Sequence, residues 1–213
     1  MSGKSPITPV YRLMHIHNLP VVLERGGMHA PNHVPEGGSG YRTIHNIDIQ
    51  KIRRARPIPC GPGGTVHDYV AFYFGPRSPM LFQLHTGRVE EYHEGQEPLI
   101  YAVSTVESIT QAGLGFVFSD GHGIAAFTQW FDDLENLDKV DWETAYADYW
   151  ADTVDDLDRQ RRKQAEFLVH RFCPWDVINS IGVLNDSVKK RVEKIFERYT
   201  ISIPVEVHRP WYY

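Results

Sequence analysis

The stretch GGTVHDYVAFYFGPRSPMLF, from Gly63 to Phe82, constrains the fold of this chain more than any other. A glycine pair opens it and aromatic residues then recur at strand spacing, yet it also carries His67, Asp68, Tyr73, Arg77 and Ser78. A strand buried for stability alone reads as a plainer Val/Ile/Leu alternation, because every polar group taken out of water needs a partner. The stretch therefore reads as a strand and turn that line a ligand. Composition alone leaves open the alternative of an aromatic-rich edge strand.

At 213 residues and 42% hydrophobic content, the chain is long enough for one well-cored domain over 1–213, and no Gly/Ser-rich or Pro-rich linker divides it. Cys60 and Cys173 are too few for a disulfide framework, and the first residues do not resemble an export signal, so the expected location is cytoplasmic. The longest apolar runs, Leu99 to Val103 and Ala112 to Phe118, are far shorter than a spanning helix, which argues against membrane insertion.

The net charge of −5 conceals a division. Between Asp132 and Asp158 stand eleven acids and one base, Lys139, a local balance of −10 that leaves +5 on the rest. The bases cluster in two runs: Arg42, Lys51, Arg53, Arg54 and Arg56, then Arg159, Arg161, Arg162, Lys163 and Arg171. Such runs can form a phosphate-binding face with the acidic block turned to solvent, or they can be solvated faces without a partner.

Periodicity predicts a strand over Tyr11 to His15 and a helix from Leu19 to the Gly26-Gly27 pair. A Pro/Gly/Asn/Ser-rich loop follows over Ala30 to Tyr41, then a short basic helix over Ile47 to Arg54 that ends before Pro57. Strands are expected at Tyr69 to Phe74, Met80 to His85, Leu99 to Ser104 and Phe116 to Phe118, with a short helix after Ser119 and a longer acidic one over Phe131 to Tyr149. Later come a strand over Glu166 to Phe172, a turn at Asp176 to Asn179 and a strand over Ile181 to Leu184. Val188, Val192, Ile195 and Phe196 give an amphipathic helix over Asp186 to Tyr199, and Ile203 to Val207 closes the sheet.

Glu166 stands out among single residues. It follows a dense basic run at the mouth of an apolar strand, in Gln164-Ala165-Glu166-Phe167-Leu168-Val169, where a carboxylate is partly desolvated yet close to positive charge. A salt bridge to Arg162 or Arg171 is the simpler alternative. No set of histidines, cysteines and acids has convincing metal-ligand spacing, neither cysteine has the context of a catalytic thiol, and no Gly-x-Gly-x-x-Gly opens a helix. The terminal Trp211-Tyr212-Tyr213 reads as a hydrophobic clasp.

Taken together, five separated motifs resemble the DarT family, toxin enzymes that ADP-ribosylate bases in single-stranded DNA. They are the stretch from Gly63 to Leu81, Gln96-Glu97-Pro98, Phe116-Val117-Phe118-x-Asp120-x-His122, Gln164 to Val169, and Trp211-Tyr212-Tyr213. The resemblance implies an α+β ADP-ribosyltransferase fold, a split, twisted pair of sheets with flanking helices that grips NAD+ in a cleft. It implies Glu166 as the catalytic glutamate, Arg53 as the essential arginine and His122 as a further active-site position. Tyr11 to Leu19 looks like the family's first NAD-binding strand and following helix, so Arg12, His15, Asn18 and Leu19, with Arg53 and Tyr73, are the implied NAD+ contacts. The chain departs from the common pattern at Arg12, Met14 and Ala71, where histidine, threonine and proline are frequent.

The chemistry is consistent with these residues. Cleaving nicotinamide from ribose creates an oxocarbenium-like sugar that a fixed carboxylate stabilises, and a cation beside the accepting base nitrogen stabilises its anionic form. A base inside a duplex is out of reach, whereas on a single strand aromatics stack bases and arginines hold phosphates. Tyr41, Arg42, Arg54, Arg56, Arg77, Arg159 and Arg162 are the candidates for that grip, with Tyr73 and Tyr92 as further aromatics. Thymidine is the expected base and guanosine the rival, and a macrodomain antitoxin of the DarG kind is the implied partner. The competing reading is a catalytically inactive module that binds single-stranded nucleic acid.

Overall fold

The computed structural model describes residues 7–37 and 40–213. Its first strand, β1 (Pro9–His15), turns Val10 and Met14 into one core and Tyr11 and Leu13 into another. After it come α1 (Leu19–Glu24), β2 (Gly27–His29), α2 (Ile47–Ala55), β3 (Tyr69–Tyr73), α3 (Pro79–His85), β4 (Leu99–Thr105), α4 (Val106–Gln111) and β5 (Phe116–Ser119). The second half adds β6 (Trp130–Phe131), α5 (Trp142–Tyr146), α6 (Arg159–Arg162), β7 (Glu166–His170), β8 (Phe172–Pro174), β9 (Ser180–Val183), α7 (Asp186–Tyr199) and β10 (Val205–Val207).

Eight strands form one sheet in the order β10-β9-β4-β1-β3-β7-β5-β6, and β2 pairs with β8 in a separate ribbon. All pairings in the large sheet are antiparallel except the edge pair β9-β10. The sheet is parted near its middle. β1 pairs with β4 over seven positions and β3 with β7 over five, but β1 meets β3 only where Tyr11 stands opposite Tyr73. This seam is the form that the expected split takes, within an α+β arrangement of one large sheet and flanking helices. Arg12 crosses it, Nη1 donating to the Ala71 carbonyl at 2.8 Å where the ladder between the strands has stopped.

One face of the sheet is packed along its whole width. Val70, Phe72, Ile100, Phe167 and Ile181 meet Leu19 of α1, Ile109 of α4 and Val188, Val192 and Phe196 of α7 in a single apolar cluster. The other face carries two separate clusters: Leu81 and Leu84 of α3, with Tyr212, cover Tyr11, Leu13, Leu99 and Tyr101, whereas Ile58 and Val66 cover Tyr69, Val117 and Leu168. Between those clusters Leu13, Ala71, Tyr73 and Glu166 line a cavity.

Several elements differ from the sequence-based expectation. Met80 to His85 is not a strand but lies in helix α3, because Ser78 caps it, its Oγ accepting the Leu81 N–H at 3.2 Å, and Pro79 takes the first turn, where a missing N–H costs nothing. The acidic region Phe131 to Tyr149 is no long helix: β6, a 3-10 turn over Leu134–Lys139 and the five-residue α5 divide it. Asp133 and Asp141 accept backbone N–H groups there, so the acids start short turns instead of continuing one helix. The residues after Ser119 form a loop, not a helix. The strand expected over Glu166 to Phe172 is two strands, broken at Arg171, whose φ of 63° lies in the left-handed region.

Other elements agree. α7 runs over Asp186–Tyr199 as periodicity predicts, with Asn185 Oδ1 accepting the Val188 N–H at 3.0 Å. The 30–41 segment is irregular apart from a 3-10 turn at Pro31–His33, with Gly38 and Ser39 of that loop, like residues 1–6 of the expected domain, outside the described residues. No helix among the described residues is long and apolar enough to cross a membrane.

Candidate active site

A cavity of about 510 Å³ opens over the seam, within the range of roughly 300–1,000 Å³ that small-molecule and cofactor sites occupy. Strand β7 delivers Glu166 to it at the first position of the strand, opposite Tyr73 of β3. Glu166 is 2% exposed, and Arg53, one of the last residues of α2, closes on it: Arg53 Nη1 lies 2.9 Å from Oε1 and 3.0 Å from Oε2. The Gly123 N–H donates to Oε2 at 3.3 Å, and the Glu166 N–H donates to Ser119 Oγ at 3.3 Å. A buried carboxylate with such partners is held in place. The simpler expectation for Glu166, a bridge to Arg162 or Arg171, is replaced by the pair with Arg53.

His122 lines the same cavity from the loop after β5. Its N–H donates to the Arg161 carbonyl at 2.9 Å, and its carbonyl accepts the Thr128 hydroxyl at 2.7 Å. Burial, assisted by Arg53 and opposed by Glu166, holds the His122 imidazole below its ordinary pKa, which favours the neutral ring. Burial and then the Glu166 charge push the Tyr73 phenol well above its usual range. Burial pulls Arg12 down from its ordinary value. The site thus gathers Arg12, Arg53, Tyr73, His122 and Glu166, all expected, around one cavity.

The remaining expected NAD+ contacts are not in its lining. Leu19 is fully buried in the core. His15 is equally buried, its Nε2 3.5 Å from Glu94 and its Nδ1 accepting the His17 N–H. Asn18 clamps the backbone of Arg42, accepting its N–H at 2.6 Å and donating to its carbonyl at 3.0 Å, and lines a smaller pocket of about 40 Å³ with Tyr41 and Arg42. That pocket shares Arg12, Leu13, Ile44 and His45 with the large one.

The expected DNA-binding residues are dispersed. Arg42 pairs with Glu94, and Arg56 donates to the Ala125 carbonyl at 2.9 Å. Arg77, at φ 56°, stacks its guanidinium 4.7 Å from the centre of the Tyr213 ring. Arg159 donates to the Tyr149 carbonyl at 3.0 Å, and Arg162 pairs with Asp141, Asp156 and Asp158. Asp141, Asp156 and Asp158 of the acidic block therefore turn toward the second basic run and neutralise Arg161 and Arg162 there. Arg54 is exposed on α2, and among the described residues its side chain makes no hydrogen bond or ion pair.

Sequence reasoning missed Gly123, His45 and Gln50, and left His67 without a role. The Gly123 contact is made by backbone, so no side chain advertises it; a Cβ there would stand 2.7 Å from Glu166 Oε2. His45 is lowered to about 4, by burial first and then by Arg12, Arg53 and His67. Gln50 was findable from helical spacing, since it stands one turn before Arg53 on α2 and both line the cavity. Its Oε1 is 3.1 Å from His67 Nε2. Among the described residues no group of three or more His, Cys, Asp or Glu could hold a metal ion.

A buried carboxylate paired with a guanidinium, beside a neutral imidazole and a neutral phenol, can stabilise a developing sugar cation on one side and an acceptor anion on the other. Comparisons with known proteins bear on this chemistry. The protein-family model described as "ssDNA thymidine ADP-ribosyltransferase, DarT" matches residues 11–213. A "DNA ADP-ribosyl transferase" of Thermus sp. (strain 2.9) is 40% identical over 208 residues, 97% of this chain and 96% of that protein. Its structure in complex with ADP-ribosylated ssDNA superposes with a TM-score of 0.90 at 40% identity, covering 97% of this chain and 96% of the other. The same enzyme in complex with NAD+ gives 0.87 at 38% identity over 99% and 100% of the chains. A "DNA ADP-ribosyl transferase-DNA ADP-ribosyl glycohydrolase fusion protein" of Thermosipho africanus is 23% identical over 91% of this chain and 47% of its own length.

Proposed function

Because the chain belongs to the DarT family of DNA ADP-ribosyltransferases, we propose that it transfers ADP-ribose from NAD+ to thymidine in single-stranded DNA, with guanosine the alternative base. The observation that carries this reading is Glu166, 2% exposed on the cavity wall and held by Arg53 and the Gly123 N–H. As the bond from nicotinamide to ribose breaks, positive charge grows on the sugar, and the Glu166 carboxylate stabilises it. Arg53 stabilises the base nitrogen as its proton leaves, and neutral His122 positions the reactants or takes that proton. Arg12 and Tyr73 lie on the NAD+ side of the site.

In this reading the enzyme is the toxin of a toxin–antitoxin pair. The antitoxin carries a macrodomain that removes ADP-ribose. The glycohydrolase portion named in the Thermosipho relative supports such a partner.

The test is incubation with NAD+ and a mixed single-stranded oligonucleotide, read by intact mass. An ADP-ribosyl adduct on thymidine is expected, with little on the same sequence annealed into duplex. Glu166→Ala should lower adduct formation by at least about 100-fold, since the carboxylate acts on charge that exists only in the transition state. Arg53→Ala should lower DNA modification more than slow hydrolysis of NAD+ by water. Wild-type adduct formation by the Glu166 variant would refute its role, and equal loss of both activities would move Arg53 to the NAD+ diphosphate.

A further inference from the structure

The turn that carries His67 has no part in the chemistry above, yet it is built with care. Asp68 Oδ2 accepts the Thr65 N–H at 2.7 Å and the Thr65 hydroxyl at 2.9 Å, while Asp68 Oδ1 meets Asn32 Nδ2 at 3.1 Å and His33 Nε2 at 3.0 Å. Burial pushes the Asp68 carboxyl up, but these hydrogen bonds hold it down at about 2. The Val66 N–H donates to the Arg56 carbonyl at 3.0 Å, which ties the turn to the end of α2. The turn thus holds the His67 ring against α2, where His67 Nε2 meets Gln50 Oε1 at 3.1 Å.

A carboxamide oxygen only accepts, so His67 carries a proton on Nε2 and donates it. Burial, Arg53 and Arg54 keep this imidazole below its ordinary pKa, hence neutral, with the proton on that nitrogen. With its oxygen engaged by His67, Gln50 has its two N–H donors left to offer. Gln50 stands three residues before Arg53 on the same face of α2, and both side chains line the cavity.

We propose that Gln50 is a specificity-determining residue that donates a hydrogen bond to a carbonyl oxygen of the acceptor base, and that His67 is the positioning residue that fixes its amide. The inference rests on the transfer to a DNA base set out above. It is chosen over a contact to NAD+ because Gln50 stands one helical turn from Arg53, which serves the acceptor. Thymine carries a carbonyl on each side of its ring N–H, and guanine carries one beside its own. Adenine has no carbonyl, so an amide donor beside Arg53 selects for the first two and against the third. A site built to hydrogen-bond a substrate group discriminates strongly against an analogue lacking it, because the donor is then left buried and unpaired.

The experiment uses the full chain, NAD+ and single-stranded oligonucleotides containing either the accepted base or its analogue with the carbonyl oxygen replaced by sulfur, a weaker acceptor. The analogues for thymidine are 2-thio- and 4-thiothymidine, and for guanosine 6-thioguanosine. Wild type should modify one analogue about 10- to 100-fold more slowly than the parent. Gln50→Leu should slow modification of the parent by a similar factor, fall further in DNA modification than in NAD+ hydrolysis, and lose the discrimination between oxygen and sulfur. His67→Phe, which retains a ring of similar size but frees the amide, should weaken that discrimination as well. Retained discrimination in Gln50→Leu, or equal loss of both activities, overturns the inference. Absence of any DNA adduct with wild type would instead overturn the proposed function.

Discussion

Glu166 and Arg53 are each costly to bury alone, and each removes much of the other's cost. Deleting one partner leaves the other charge uncompensated, so single variants at this pair carry a stability loss together with their catalytic effect. Activity and unfolding should therefore be measured on the same variants. Arg12, where a histidine is frequent in the family, adds a further cation to the floor of the cavity, and its hydrogen bond to the Ala71 carbonyl gives it a structural duty as well. His45 shows what these cations do to a neighbour. Its pKa falls from 6.5 to about 4 in the folded protein, so between those values the unfolded chain binds a proton that the folded chain refuses. Stability is undiminished by this group above pH 6.5, falls as pH drops through the window, and is reduced by at most about 3 kcal/mol below it. His45→Asn should lessen the difference between urea midpoints at pH 7.5 and pH 4.5. An unchanged difference would show that His45 is not a source of the acid sensitivity.

At the scale of elements, most of what could be read from the chain was periodic. The repeat of Val188, Val192 and Phe196 marks α7, and the short apolar runs of β1, β3 and β4 mark the central strands. What escaped was capping. Pro79 to His85 has the apolar content of a strand, and only Ser78 followed by proline distinguishes it as a helix start. The acidic region Phe131 to Tyr149 reads as one helix because propensity counts residues, whereas the structure uses Asp133 and Asp141 to begin separate turns. Convergence of the site was legible only in part: Glu166 and His122 lie in motifs that resemble the family's and Arg53 is a position the resemblance implies, while the Gly123 N–H and the His67–Gln50 pair depend on long-range packing that no local pattern records. Because α3 brings Met80 and Gln83 to the cavity, its cap should matter measurably. Ser78→Ala should destabilise the protein by about 1 kcal/mol, a fall in Tm of about 2–4 °C for a chain of this size. Thermal unfolding with an unchanged midpoint would show that the cap contributes nothing.

On the scale of the whole molecule, the two basic runs differ once folded. In the second, Arg161 pairs with Asp120 and Asp158, Arg162 with three aspartates, and Lys163 is buried, its Nζ donating to the Ala145 and Ala147 carbonyls. In the first, Arg54 keeps an exposed cation close to Arg53. Binding to single strands releases about 0.7 ions per phosphate neutralised, so the salt dependence of modification reports such contacts. Arg54→Ala should reduce the slope of log affinity against log salt by about 0.7, whereas Arg162→Ala should lower stability and leave the slope nearly unchanged. The opposite pattern would assign the strand's backbone to the α6 side.

The seam between β1 and β3 has a mechanical meaning. The stiffness of a sheet against bending comes from the bonds across its strands, and here two four-stranded halves share a single paired position. What joins the halves instead is the apolar layer behind them, where Val10, Met14 and Ile100 of one half share a single core with Val70, Phe72 and Phe167 of the other. Arg12, reaching across to Ala71, adds one further hydrogen bond over the gap. The cleft is therefore an interruption of hydrogen bonding and not of packing, and the residues that must come together for reaction lie along it.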